Sequence, residues 1–223
     1  MSDNQTSPNS RDWLLLIGGS TYKFTLTGFY LVALVAILKN HGYSLNQLSW
    51  IHLIGSIEAA KVLFAALMER RPAGRFGRFR GWLLAATLGL SAVFGLMACT
   101  DITQNFALLL TCCVLLSAMS AVYGCAMLGL SCIVLPHRER GFGGVIQTMA
   151  ARGGKMIGGA LVLWLYQEYG QTAAAGLMLA FSLLMLLQLL YYRKPESPTA
   201  QGSWMALAAR LVSFWQQPET GWR

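Results

Sequence analysis

The sequence predicts an all-α, polytopic membrane protein with six transmembrane helices and both termini in the cytosol. Three observations carry that prediction. The 223-residue chain is 55% hydrophobic and only 12% charged, against roughly 25% charged residues in an average soluble domain, and its mean hydropathy is +0.49. Its apolar residues gather into six stretches, and its basic residues sort to one side of them. Such a chain has too few polar groups to cover the surface of an ordinary cytosolic enzyme, and the same composition excludes a disordered chain and a disulfide scaffold.

The stretches are Trp13–Leu38, Leu48–Met68, Gly81–Cys99, Phe106–Leu135, Gly143–Tyr166 and Thr172–Tyr192. Each can cross a hydrocarbon core of ~30 Å, which needs about 20 helical residues. The fourth is longer than one crossing requires and is expected to tilt or to protrude into the cytosol. Residues 1–12 read as a disordered cytosolic lead. The lead is acidic rather than basic and no small-residue cleavage site follows it, so a removable signal peptide is not expected. Residues 13–192 form the six-helix bundle, and residues 193–223 a cytosolic tail. In the tail Trp204, Leu207, Ala208, Leu211, Val212 and Trp215 fall on one helical face, with Arg210, Gln216 and Gln217 elsewhere. That pattern predicts an amphipathic helix lying on the inner membrane surface or capping the bundle.

Of the 17 Lys and Arg residues, twelve fall on one side of the stretches: Arg11, then Arg70, Arg71, Arg75, Arg78 and Arg80, then Arg138 and Arg140, then Arg193, Lys194, Arg210 and Arg223. Only Lys39 falls in a loop on the other side, and Lys23, Lys61, Arg152 and Lys155 lie inside stretches. The bias follows the positive-inside rule and places both termini in the cytosol of an inner (cytoplasmic) membrane protein. Topology accounts for the net charge of +8, and no nucleic-acid partner is needed to explain it.

Ionisable residues inside a span cost at least ~2.5 kcal/mol each at the helix centre and usually face protein or water. They are Lys23 in span one, His52, Glu58 and Lys61 in span two, and Arg152 and Lys155 in span five. Counted from the cytosolic ends at ~1.5 Å per residue, all but His52 sit roughly 10–18 Å deep. Glu58 and Lys61 share a helical face, as do Arg152 and Lys155. Three helices thus bring charge to one depth. The functional reading is a cationic mid-membrane cavity that faces an organic anion, with Lys23, Lys61, Arg152 and Lys155 binding it and Glu58 as the titrating or gating partner. The structural reading is an internal ion pair of Glu58 with Lys61 or Arg152, with Lys155 snorkelling; one Glu cannot neutralise four cations. His52, nearer the outer end, reads as a packing or interfacial histidine. Gly154 and Gly158 have the spacing of close helix packing.

Enzyme chemistry finds no support. An intramembrane serine protease needs a nucleophilic Ser in a Gly-rich turn and a His on another span. Gly129-Leu130-Ser131-Cys132 is a poor imitation, spans five and six contain no His, and His41 and His137 are in loops. No Cys/His metal spacing occurs, and the spans offer only His52 and Glu58 as ligands, so no cofactor or metal is expected. Cys99, Cys112, Cys113, Cys125 and Cys132 lie in apolar stretches and read as small buried hydrophobes.

The segment Lys61–Trp82 resembles the end of the second span and the following loop of major facilitator transporters. The family's small residue, Leu, acid, Arg and Gly-Arg run correspond to Ala65, Leu67, Glu69, Arg70 and Gly74, Arg75, Gly77, Arg78. Ala65 stands for the usual Gly and Glu69 for the usual Asp. A narrower resemblance is to the AmpG-type muropeptide permeases and the RhtX/FptX-type siderophore permeases. Lys61, Phe64, Glu69 and Arg70 fit their second span, Leu135–Gly143 (LPHRERGFG) matches their LPxxERGxG, and Arg152, Gly153, Gly154 follow with one change. Gly42, Tyr43, Ser44 and Leu45 resemble the entry to the family's second span.

The resemblance implies half of a major facilitator fold, in which spans one, two, four and five line the cavity or the seam while three and six face lipid. It implies transport by alternating access against a second six-helix half or a second copy of the chain. Arg70, Arg75 and Arg78, with Glu69, become gating residues at the cytosolic seam. The solute expected first is siderophore-like, with a muropeptide, or a truncated non-transporting membrane subunit, as alternatives. One departure concerns coupling: where the family usually carries Gln-Asp in span four, this chain has Tyr123 and Gly124, with Leu128 and Ile133 beyond. That removes the natural protonatable group from span four and leaves Glu58 as its substitute.

Overall fold

The computed structural model describes residues 9–55, 64, 68, 78–100, 106–136 and 139–192. Every regular element among the described residues is a helix. Residues 1–8 of the predicted lead, the tail with its amphipathic helix and most of the second half of span two lie outside the described residues; residues 9–12, expected in the disordered lead, instead cap and begin the first helix, with Asp12 buried.

Helix α1 runs Ser10–Asn40 and includes a π turn at Phe29–Ala33. Asn9 caps its N-terminus, its side chain accepting from the Ser10 N–H at 2.9 Å while its own N–H donates to Asp12 Oδ2 at 3.1 Å, a reciprocal arrangement that satisfies otherwise orphaned donors. Gly42, at φ +81°, turns the chain into α2, Leu45–Gly55. Helices α3 and α4 are Arg78–Cys99 and Phe106–Val134. The last helical stretch runs Arg140–Met156, widens into a π turn at Ile157–Leu161 and continues as Val162–Tyr191. Gly170 interrupts it at φ 82° and ψ −174°, a conformation that costs glycine no Cβ clash. Residues 140–169 are α5 and residues 171–191 are α6.

Among the described residues, four stretches are long and apolar enough to cross a membrane: Ser10–Asn40, Phe79–Cys99, Ala107–Val134 and Gly141–Tyr191. The last, of 51 residues, folds back on itself at Gly170. Before the break, Gly154 lies on Thr21 and Gly158 on Thr25, so α5 runs parallel to α1. After it, Ser182 meets Tyr22, Gln188 meets Gly18 and Tyr192 meets Asp12, so α6 runs antiparallel to α1. Helix α4 is also antiparallel to α1, with Met127 on Gly19 and Lys23 on Gly124. Arg80 donates to the carbonyls of Leu189 and Leu190 at 3.0 Å, and Gln171 to those of Met97 and Thr100 at 2.9 and 2.8 Å, which sets α3 antiparallel to α6. Residues 12 and 192 therefore share one end of the bundle, and Asn40, Thr100 and Gln171 the other.

Helix α1 is the centre, packed against α4, α5 and α6. Its core contacts include edge-on pairs of Tyr22 with Tyr123 and of Phe29 with Phe94. Hydroxyls in the helices bond back to their own turns: Thr25 to the Thr21 carbonyl at 2.9 Å and Thr87 to that of Leu83 at 2.7 Å, which satisfies them where no water is present. One sequence expectation needs correction. All five cysteines are free, but only Cys112 and Cys113 are buried, while Cys125 is half-buried and Cys99 and Cys132 are exposed. An apolar neighbourhood along the chain does not imply burial when the outward face of the bundle is apolar too.

Candidate functional site

The site is built where α1 lies between α4 and α5. On the α5 side the backbones touch. A Cβ added at Gly154 would stand 2.7 Å from the Thr21 carbonyl oxygen, one at Gly158 would strike the Thr25 carbonyl, and one at Gly28 would stand 2.8 Å from that of Lys155. Small residues allow such an approach, as the Gly154–Gly158 spacing predicted. The two π turns, Phe29–Ala33 and Ile157–Leu161, pack against each other just beyond this crossing.

This register sets the height of the charges. Lys23 falls between the levels of Gly154 and Gly158, within about one helical turn of both Arg152 and Lys155. Gly154 and Gly158 face α1, and Ala150 and Val162 are buried on the same ridge. Arg152 and Lys155 point away from that ridge and are exposed, together with Phe142, Val145, Met149 and Met156. The stretch Arg140–Met156 of α5 is the most strongly two-faced among the described helices. Its glycine face is committed to α1, and its other face presents two cations among apolar side chains.

Lys23 lies toward α4. Its stem passes Gly124, where an added Cβ would be 2.9 Å from Cε and 3.3 Å from Nζ. Its ammonium stands 4.9 Å from the centroid of the Phe24 ring, inside cation–π range. Phe24 is also the neighbour of Gly154, its Cβ 2.8 Å from a Cβ placed there. It thus stands between Lys23 and the helix that carries Arg152 and Lys155.

Of the predicted site residues, the structure brings Lys23, Arg152 and Lys155 to one level on two adjoining helices. Lys61, Glu58, Glu69, Arg70 and Arg75 lie outside the described residues; so does the side chain of Arg78, whose backbone begins α3. The side chain of His52 is also outside them. Several other contacts were not foreseen from the sequence. Phe24 carried no signal beyond its position after a lysine. Tyr22, whose hydroxyl is 2.5 Å from that of Ser182, and Tyr123, which donates to the Gly19 carbonyl at 3.3 Å, carry no charge and read as core. His41 is the C-cap of α1, with Nδ1 2.9 Å from the Ile37 carbonyl and Nε2 3.4 Å from the Tyr166 hydroxyl. An apolar pocket lined by Phe29, Leu34, Met97, Leu109, Tyr166 and Ala174 lies toward that end, away from the charges.

The bundle has helices long and apolar enough to cross a membrane, and two adjoining ones carry cations at one level. The sequence pattern of the Major Facilitator Superfamily matches residues 15–222, and the chain belongs to that family, whose members are transporters and not enzymes. Anhydromuropeptide permeases of Escherichia coli, from strain K12 and from O157:H7, are each 27% identical to it over 210 residues, which is 93% of this chain and 42% of the relative. The chain thus spans less than half the length of these curated relatives.

Proposed function

We propose that this chain forms one six-helix wall of a major facilitator permease that moves an organic, anionic solute of the muropeptide class across the inner membrane by alternating access. The observation that carries this reading is the exposed face of α5: Arg152 and Lys155 stand on it at the level of Lys23, while the opposite face is locked to α1 by glycines. A charged face at membrane depth has a use when it borders a water-filled path rather than lipid. Lys23, Lys61, Arg152 and Lys155 bind the solute in this scheme, and Glu58 supplies the titrating group. Glu69, Arg70, Arg75 and Arg78 gate the cytosolic seam.

The opposing wall is a second six-helix half or a second copy of the chain, in keeping with the 42% of the relatives' length that the chain covers. The reading places both termini in the cytosol. The positive-inside bias supports it, as does the shared end of residues 12 and 192. Muropeptides carry free carboxylates, which a cationic cavity complements, and the similarity to muropeptide permeases favours them over the siderophore-like solute first expected.

The test is uptake of a radiolabelled anhydromuropeptide, beside a radiolabelled ferric siderophore, into inner-membrane vesicles carrying the full chain alone or with a second six-helix half. Losing a charge-assisted contact of about 1.5–3 kcal/mol lowers uptake by roughly tenfold or more. Arg152→Ala and Lys61→Ala should each do so with membrane insertion unchanged. Wild-type uptake by both variants overturns the cationic-cavity reading.

A further inference from the structure

We infer that the far end of α1, Leu34–Asn40, is a hinged arm that swings on the paired π turns into the apolar pocket beside it, and so opens and closes the mouth of the solute path at that end of the bundle. The inference rests on the proposed function for what passes the mouth; the arm and its hinge stand on geometry alone.

Three observations carry it. The first is the pairing of the π turns, which pack against each other just beyond the level of Lys23, Arg152 and Lys155. A Cβ added at Gly159 would stand 3.2 Å from Cγ1 of Val32. In each turn an N–H reaches five residues back, from Leu34 to the Phe29 carbonyl and from Val162 to that of Ile157. Leu34 can exchange the Phe29 carbonyl for that of Tyr30, four residues back, without losing a bond. Bending at this level therefore leaves no backbone group unpaired in a medium that offers no substitute.

The second is the pocket. Leu34, Ile37 and Leu38 of the arm line one side of it, and Met97, Leu109 and Ala175 of α3, α4 and α6 line the other. Apolar walls give water no hydrogen bonds, so an arm moving in has no bound water to displace. The third is the contrast in anchoring. Gln171, at the edge of the pocket, ties the start of α6 to the Met97 and Thr100 carbonyls at the end of α3. The arm instead leads into Gly42, at φ +81°, where an added Cβ would meet nothing within 4 Å. The arm has seven residues. At ~1.5 Å per residue it is roughly 10 Å long, and a bend of about 20° moves its tip by about 4 Å.

Pulsed electron paramagnetic resonance on the full chain in lipid nanodiscs tests the arm. One nitroxide sits on Lys39→Cys near its tip and the other on the native Cys99 at the end of α3, both positions exposed, with the other cysteines replaced by alanine. Two distances are expected, the shorter with the arm in the pocket. Ala175→Leu fills the pocket and overpacks the swung state, so the shorter component should shrink about fivefold or more. Ala174→Val, a smaller addition to the same wall, serves if Ala175→Leu fails to fold. Below the hinge, Ile17→Cys paired with the native Cys132, both exposed, should give one distance. A single tip distance, or two that neither pocket substitution changes, overturns the arm. Two distances for the lower pair as well overturn the hinge, because the whole helix then moves.

In uptake of labelled anhydromuropeptide, Ala175→Leu should lower the maximal rate about fivefold or more with KM little changed, whereas Lys23→Ala should raise KM. A wild-type maximal rate in Ala175→Leu, beside a shrunken short component, refutes the arm's control of the mouth. Wild-type vesicles that take up no solute, with two tip distances present, remove the transport reading and leave the hinge standing.

Discussion

The hydroxyl of Tyr192 donates to Oδ1 of Asp12 at 2.7 Å, joining the last described residue to the first turn of α1 across 180 positions of sequence. Asp12 is only 2% exposed, and its other carboxylate oxygen accepts from the Asn9 N–H. One acid thus closes the capping box of α1 and ties down the end of α6. Tyr192→Phe should lower stability by about 1–3 kcal/mol, the worth of a hydrogen bond to a charged group. Asp12→Ala should cost more, because the cap is lost as well. Thermal unfolding in detergent checks both, and equal melting temperatures for wild type and Tyr192→Phe would contradict the role given to this bond.

Gly158 has no room for a Cβ against the Thr25 carbonyl, whereas a Cβ at Gly153 meets nothing within 4 Å. Gly158→Ala should therefore force α1 and α5 apart and destabilise the bundle by about 1–3 kcal/mol. Gly153→Ala should be neutral or slightly stabilising, by up to about 1 kcal/mol, through helix propensity. Melting temperatures of the two variants, measured side by side, distinguish steric contact from a general dislike of alanine in this helix.

Tyr22 and Ser182 share a buried hydrogen bond between α1 and α6. Such bonds in membrane bundles are modest, about 0.6 kcal/mol on average. A double-mutant cycle of Tyr22→Phe and Ser182→Ala should give a coupling near that size. The edge-on contact of Tyr22 with Tyr123 survives Tyr22→Phe, so the cycle isolates the hydroxyl pair. Additive effects of the two substitutions would assign the pair no coupling.

Cys99 ends α3 near Gln171, and Cys132 lies near the opposite end of α4; both are exposed. With the termini in the cytosol, a membrane-impermeant maleimide added to intact cells should label Cys99 and not Cys132, and everted vesicles should reverse the pattern. Cys112 and Cys113, both buried, should label only after denaturation. Labelling of Cys132 from outside would invert the proposed topology.

The described part of the candidate site was legible because charge inside an apolar run is conspicuous. Lys23, Arg152 and Lys155 could be found, and placed at similar depth, from helical rise alone. Phe24 could not, and Gly124 stood out only as the place where the resembled family carries an acid, not as the neighbour of Lys23. A phenylalanine in a membrane helix looks like any other apolar residue, and a glycine that yields its space to a lysine from another helix has no signature in its own neighbourhood. The glycines of α5 were visible as a spacing, but their partners Thr21 and Thr25 were not, since which helix approaches which is not written in either one.

The sequence by itself determined where the helices run. Expected boundaries agree with the structure within about three residues for α1, α3, α4, α5 and α6, because bilayer thickness dictates how long an apolar run must be and lipid tolerates no unpaired backbone. Only the tertiary structure decided which face of each helix is packed. In a soluble protein, water separates inside from outside and hydropathy records the difference. In a bundle surrounded by hydrocarbon both faces are apolar, so contact is chosen by shape: Gly158 against Thr25, Gly124 beside Lys23, Cys132 left facing out.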